Sequence, residues 1–140
     1  MRDLVSLLHP IAAIAPQVAT DNTAIVSAII DMAGYDGAAF FISLGTVADA
    51  DTTAAVTMEH GDASNLSDTA AVAAADLIGT LALAGFTFAD DNEIRKIGYR
   101  GSKRYVRFTV TPSGNTGNLP ISAVAVLGHP NVAPTPNPPQ

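Results

Sequence analysis

The chain has 140 residues, no cysteine, and 14% charged residues, well below the quarter or so that is usual. Disulfides, thiol chemistry and cysteine-bound metals are therefore excluded, and the length suits one domain with a single modest core. The formal net charge is −6, and so little charge on a small acidic protein predicts that part of its surface is covered in an assembly.

Residues 1–20 carry Leu4, Val5, Leu7, Leu8, Ile11 and Ile14, but Pro10 and Pro16 interrupt them. They read as an apolar N-terminal arm that needs a surface to lie on, with Leu4 and Leu8 as contact candidates. Asp3, His9 and Pro10 spoil the pattern of a signal peptide, so none is expected. No stretch is apolar for the ~18 residues that a membrane helix requires.

The body is expected over 21–128. TAIVSAII (23–30), AAFFISLG (38–45) and TTAAVTMEH (52–60) read as short strands separated by turn signals. Phe40, Ile42 and Leu44 alternate onto one face, as do Ala54, Val56 and Met58. The segment 61–79 starts polar and ends alanine-rich, which suits either a short helix or an irregular crossover strand. Another short strand is expected around Phe86 and Phe88. EIRKIGY (93–99), KRYVRFTV (103–110) and LPISAVAVLG (119–128) read as strands, with Pro112 ending the second of them. Arg100, Gly101 and Ser102 form a tight link, and Gly101 is the expected hairpin turn residue. Residues 129–140 include five prolines and read as an extended, proline-rich C-terminal arm, with Pro134 and Pro136 as contact candidates. Strand after strand with short turns predicts an all-β fold: an antiparallel β-sandwich or jelly-roll-like body with extended arms at both ends.

Charge is unevenly spread. All thirteen acids lie in residues 1–94 with one base, Arg2, whereas 95–107 hold Arg95, Lys96, Arg100, Lys103, Arg104 and Arg107. Val106, Phe108 and Val110 form the natural core set of their strand, leaving Tyr105 and Arg107 outward. Arginine and tyrosine favour interface centres, so Arg95, Tyr99, Arg104, Tyr105 and Arg107 are the interface candidates. A nucleic-acid partner is not expected, because the remaining acids would repel a polyanion.

No catalytic residue is expected. GxSxG, GxGxxG and P-loop patterns are absent, and His9, His60 and His129 fit no zinc spacing. Asp49 and Asp51, with Asp90 and Asp91, carry oxygens for a hard cation but no calcium-loop signature. No metal or other cofactor is expected.

The stretch from AADLIGTLAL to VLGHP resembles a family of small virion proteins of tailed bacteriophages and prophages. The resemblance rests on Tyr99, Gly101, Lys103, Arg104, Tyr105, Val106 and Arg107, and on Val126, Leu127, Gly128, His129 and Pro130. Two places depart from the pattern. Asn92 stands where an acid is usual, between Asp91 and Glu93, and 61–68 lacks a tryptophan. The resemblance implies a capsid decoration or cement protein on the outer surface of a virion. Its partners would be the major capsid protein and its own copies, a trimer being favoured. Head–tail or tail accessory roles, and a host-surface binding module, are the alternatives.

Overall fold

The computed structural model describes residues 3–139. Among the described residues eleven strands pack as two sheets, and every strand pairing is antiparallel. The all-β sandwich expected from alternation is the observed fold.

The first sheet has the order β1 (His9–Ala19), β11 (Leu119–Pro130), β4 (Tyr35–Leu44), β9 (Ile94–Tyr99), β7 (Leu77–Ile78). The second is centred on β10 (Tyr105–Ser113) and β5 (Thr53–Gly61). One side of β10 takes two short pieces, β2 (Ile25–Val26) and β3 (Ile30–Asp31). The far side of β5 takes β6 (Ala70–Ala71) and β8 (Phe86–Thr87).

Strict alternation sends Phe40, Ile42 and Leu44 inward from β4, and Val106, Phe108 and Val110 inward from β10. The ring of Phe40 meets that of Phe108 edge-on at 5.4 Å, tying the layers together. Ile121, Ala123, Ala125 and Leu127 of β11 complete the same core. Within this sheet small residues of β11 lie beside bulky ones of β4, Ala123 next to Ile42 and Ala125 next to Phe40.

Several expectations change. The surface on which the apolar N-terminal segment lies is its own body: 9–19 form the outer strand β1, paired along β11 with register shifts near Ile14 and Gln17. Proline does not forbid this, because β1 has a neighbour on one side only, and an edge strand tolerates a missing donor. Pro112 likewise does not end β10. It sits opposite Ala54, past the last residue that β2 pairs, so its missing N–H leaves no partner unmet. The alanine-rich segment forms neither a full helix nor one strand. It breaks into β6, a 3₁₀ turn at Ala74–Asp76 and β7, and the one α-helical turn among the described residues, α1, comes later at Leu81–Ala84. Thr80 caps that turn by accepting from the Leu83 N–H.

The proline-rich end lies on the chain's own start. Thr135 is buried; its N–H donates to the Ser6 carbonyl at 2.9 Å and its hydroxyl to the Leu8 carbonyl at 2.7 Å. Leu4, Pro134 and Pro136 remain exposed around this clasp, while Leu8 is half-buried beside Gly128.

Candidate interaction site

The basic stretch is not a hairpin. β9 belongs to the first sheet and β10 to the second, so residues 100–104 carry the chain across the sandwich end. Alternation on β9 turns Ile97 and Tyr99 inward. Tyr99 is 1% exposed, so the expected interface tyrosine is a core residue. Its hydroxyl lies 2.8 Å from His60 Nδ1 and accepts the Lys103 N–H at 3.2 Å. Burial pushes this phenol's pKa up, against the lowering effect of the Lys103 N–H.

Gly101 is needed for a different reason than turn geometry. The positive-φ glycines are Gly34, Gly79 and Gly114. A Cβ on Gly101 would stand 2.5 Å from the Tyr99 oxygen and 2.6 Å from the ring carbon bearing it. Glycine lets the crossing chain lie directly on a buried ring.

Most of the cations are neutralised within the chain. Arg104 grips Asp31 with two bonds of 2.9 Å, Nε and Nη2 each donating to one carboxylate oxygen. Its guanidinium also lies 5.1 Å over the Tyr105 ring. Arg107 Nε donates to Glu59 at 2.6 Å, from a position directly across the strand pair. Lys103 meets Asp62 at 2.6 Å, and Arg95 meets Asp90 at 2.5 Å and Glu93 at 3.4 Å. Arg100 Nε donates to the Ala75 carbonyl. Lys96 has no ion-pair partner among the described residues.

The carboxylates register these contacts. The Arg104 hydrogen bond lowers the Asp31 pKa, and the Lys103 hydrogen bond lowers that of Asp62. The Thr87 N–H, with Arg95, lowers Asp90. Burial pushes Glu59 upward, but Arg107 and Thr69 outweigh it and the net shift is down.

Sequence reasoning found the bases and missed their partners, because cross-strand register decides who meets whom. The one legible signal was Glu59, which sits on the outward alternate of its strand as Arg107 does on its own.

The two outer faces differ sharply in chemistry. On the second sheet, the outer rows beyond the Arg107–Glu59 pair carry Thr57, Thr109, Thr111 and Thr53. On the first, one cross-strand row runs Ala12, Val124, Phe41, Lys96 and the next runs Pro10, Val126, Ala39, Gly98, Ile78. Ile78 is 61% exposed and Ile94 64%. The signal for this face was present in AAFFISL and ISAVAVLG, which are apolar on both alternates apart from the facing pair Ser43 and Ser122.

An open cleft of about 630 Å³ lies at one end of the sandwich, lined by Thr53, Phe86, Thr87, Asp90, Arg95, Thr111 and Ser113 among others. Its guanidinium is already held by Asp90, while Arg95 Nε is buried without a partner. Among the described residues no three histidine, aspartate or glutamate side chains converge as a metal site. Asp49 is instead occupied by the Thr116 hydroxyl and backbone N–H groups, which hold its carboxyl below the usual range.

No protein-family pattern matches the chain, and no curated protein matches it in sequence. Solved structures do share its architecture. The PBSX exported protein XepA superimposes with a TM-score of 0.57 at 13% identity, over 88% of this chain and 38% of XepA. The SPBc2 prophage-derived protein YomS gives 0.47 at 14% identity, over 89% of this chain and 99% of YomS. The xylan-binding module CBM15 gives 0.42 at 9% identity, over 93% of this chain and 95% of that module. The chain thus spans little more than a third of XepA. At such identities the XepA likeness is one of fold.

Proposed function

We propose that this protein is a non-enzymatic structural component of a phage virion. In this reading it is a decoration or cement protein on the outer capsid surface that bridges neighbouring subunits of the major capsid protein. The observation that carries the reading is how the molecule distributes its chemistry. Its cations are mostly paired internally, and its largest uncommitted feature is a broad apolar sheet face, not a constellation of acid, base or nucleophile. Such a body acts by contact, and many weak contacts repeated over a shell become strong collectively. The motif resemblance around Tyr99–Arg107 and Val126–Pro130 supports the virion setting.

Imaging of the native particle with an antibody against the chain is the direct test. Regular labelling over the shell is the expected result, and labelling confined to the tail or portal vertex would replace decoration with an accessory role. Adding the purified chain to shells stripped of it should restore their resistance to heat. Shells indifferent to it would refute the cement role.

A second reading, a host-surface binding module, is favoured by one observation. Thr53, Thr57, Thr109 and Thr111 form a hydroxyl-rich outer face that suits a polar, glycan-like ligand. Retention of the free chain on cell-wall or surface polysaccharide, abolished by Thr57→Lys plus Thr109→Lys, is the result that this reading requires.

A further inference from the structure

We infer that the outer face of the first sheet is covered by a second copy of this chain in solution. The contact concerns the free protein and stands or falls independently of where on a virion the body is attached.

The first argument is size. β1, β4 and β11 run for 11, 10 and 12 residues, and β9 adds 6. At ~3.4 Å per residue and ~4.8 Å between strands the sheet presents roughly 650 Å² of face. Two such faces together hide on the order of 1,300 Å², inside the range of stable protein pairs.

The second argument is charge. The chain carries a formal −6, which opposes contact between copies. Yet the five strands of this sheet contain a single acid, Asp36, on the alternate that includes the inward Ala38 and Phe40. Copies can therefore meet here without facing carboxylates, whereas the opposite sheet would bring Asp31 and Glu59 into the contact. Lys96 is the one cation on the face. Its stem can lie along apolar neighbours while its ammonium reaches the rim, where a neighbouring copy supplies acids in excess.

The third argument is shape. Gly98 leaves room for Ile78 to lie over the sheet, since a Cβ there would stand 2.9 Å from the Ile78 Cβ. The face also carries a hollow of about 600 Å³ lined by Ala39, Ile78, Ile94, Lys96 and Gly98, which side chains of the facing copy can fill. Sheet faces pack on sheet faces about 10 Å apart with their side chains interdigitating. Strand addition at the β1 edge is not the alternative route, because Pro10 and Pro16 interrupt its donors.

The experiment is sedimentation velocity of the full chain from sub-micromolar to hundred-micromolar concentration, alone and with Ile94→Glu plus Val124→Glu. Wild type should show a concentration-dependent oligomer, and the double variant should weaken association about 100-fold or more, since charges would enter an apolar contact. Thr109→Glu on the opposite sheet should leave the mass unchanged. A second measurement avoids any folding defect. The chain has no cysteine, so Val124→Cys introduces a single thiol whose maleimide labelling should slow as protein concentration rises, while that of Thr57→Cys should not. A wild type that remains monomeric throughout, or Val124→Cys labelling independent of concentration, overturns the inference.

Discussion

The two sheets of this sandwich share one core and part company on their outer sides. The second sheet presents threonines and cross-strand ion pairs, the pattern of a surface in contact with water. The first presents Phe41, Val124, Val126, Ile78 and Ile94, with Lys96 alone among cations. A strand exposed to water on one face alternates apolar with polar residues; β5 and β10 do, whereas β4 and β11 alternate in burial but are largely apolar on both alternates. The difference teaches that net composition, low in charge overall, is the average of one ordinary face and one depleted face.

The comparison can be broken most severely from within, because both faces depend on the same joint. Phe108 is fully buried and meets Phe40 across the layers. Phe108→Ala should cost about 3–5 kcal/mol, the usual loss for an aromatic side chain removed from a packed core. Urea unfolding followed by circular dichroism reads this directly. A loss below ~1 kcal/mol would mean that the sheets are not held together at this ring.

Next in size is the crossing between the sheets. Gly101→Ala puts a methyl group against the Tyr99 ring, which is walled in by the core and fastened at its hydroxyl to His60 and Lys103. Overpacking of this kind should cost roughly 1–3 kcal/mol. The expected signature is a lower denaturant midpoint with an unchanged slope. A neutral Gly101→Ala would show that the crossing does not rest on the ring.

How much of this was legible beforehand follows from the range of each interaction. Alternation is local, so Phe40, Ile42, Leu44, Val106, Phe108 and Val110 could be assigned inward from the chain alone. Partner choice is not local. The letters of 96–110 look like a hairpin, yet β9 pairs with β4 and β7, and β10 pairs with β5, β2 and β3. A link that turns back and a link that crosses over can be spelled with the same glycine. The mistaken reading of Tyr99 as an interface residue came from that ambiguity, since the direction of β9 was open until its neighbours were known. The cations were visible as a cluster, but Asp31, Glu59, Asp62 and Asp90 are spread over sixty residues of chain and meet them only through sheet register.

Arg104–Asp31, Arg107–Glu59 and Lys103–Asp62 mark the second sheet and its end, Arg95 of β9 holds Asp90, and acid is the way to remove these pairs together. The pKa values of Asp31, Glu59, Asp62 and Asp90 are lowered in the folded chain. The unfolded chain therefore takes up protons first as pH falls, and the stability these groups contribute is present above their unfolded pKa and lost through the folded one. Thermal midpoints should be flat around neutrality and fall below roughly pH 4. High salt at neutral pH should have a small effect, as it screens exposed pairs. Stability that rises on acidification through this window would contradict the assignment of these carboxylates.

Within that group, Arg107 and Glu59 face each other directly across two strands, each side chain being 28% exposed. Glu59→Gln keeps the shape and removes the charge, and should cost about 1 kcal/mol, near the top of the range for partly solvated pairs. Arg107→Met in the same background should then add less than it does alone, because the partner charge is already gone. Additive losses would mean that the two side chains act separately despite their contact.

The smallest effect is the one that sharpens the contrast furthest. Thr109 lies directly across from Thr57 on the outer side of the second sheet. Thr109→Ala should change stability by about 0.5 kcal/mol or less, the scale of one cross-strand threonine pair in water. Val124→Thr, on the corresponding outer side of the first sheet, is expected to be as quiet in the isolated chain because Val124 is 40% exposed there. The two substitutions should separate only when copies meet. If Val124→Thr lowers stability in proportion to protein concentration and Thr109→Ala does not, the depleted face is the one that seats a neighbour. If both remain quiet at every concentration, the apolar face is merely tolerated by water, and the asymmetry between the sheets has no bearing on assembly.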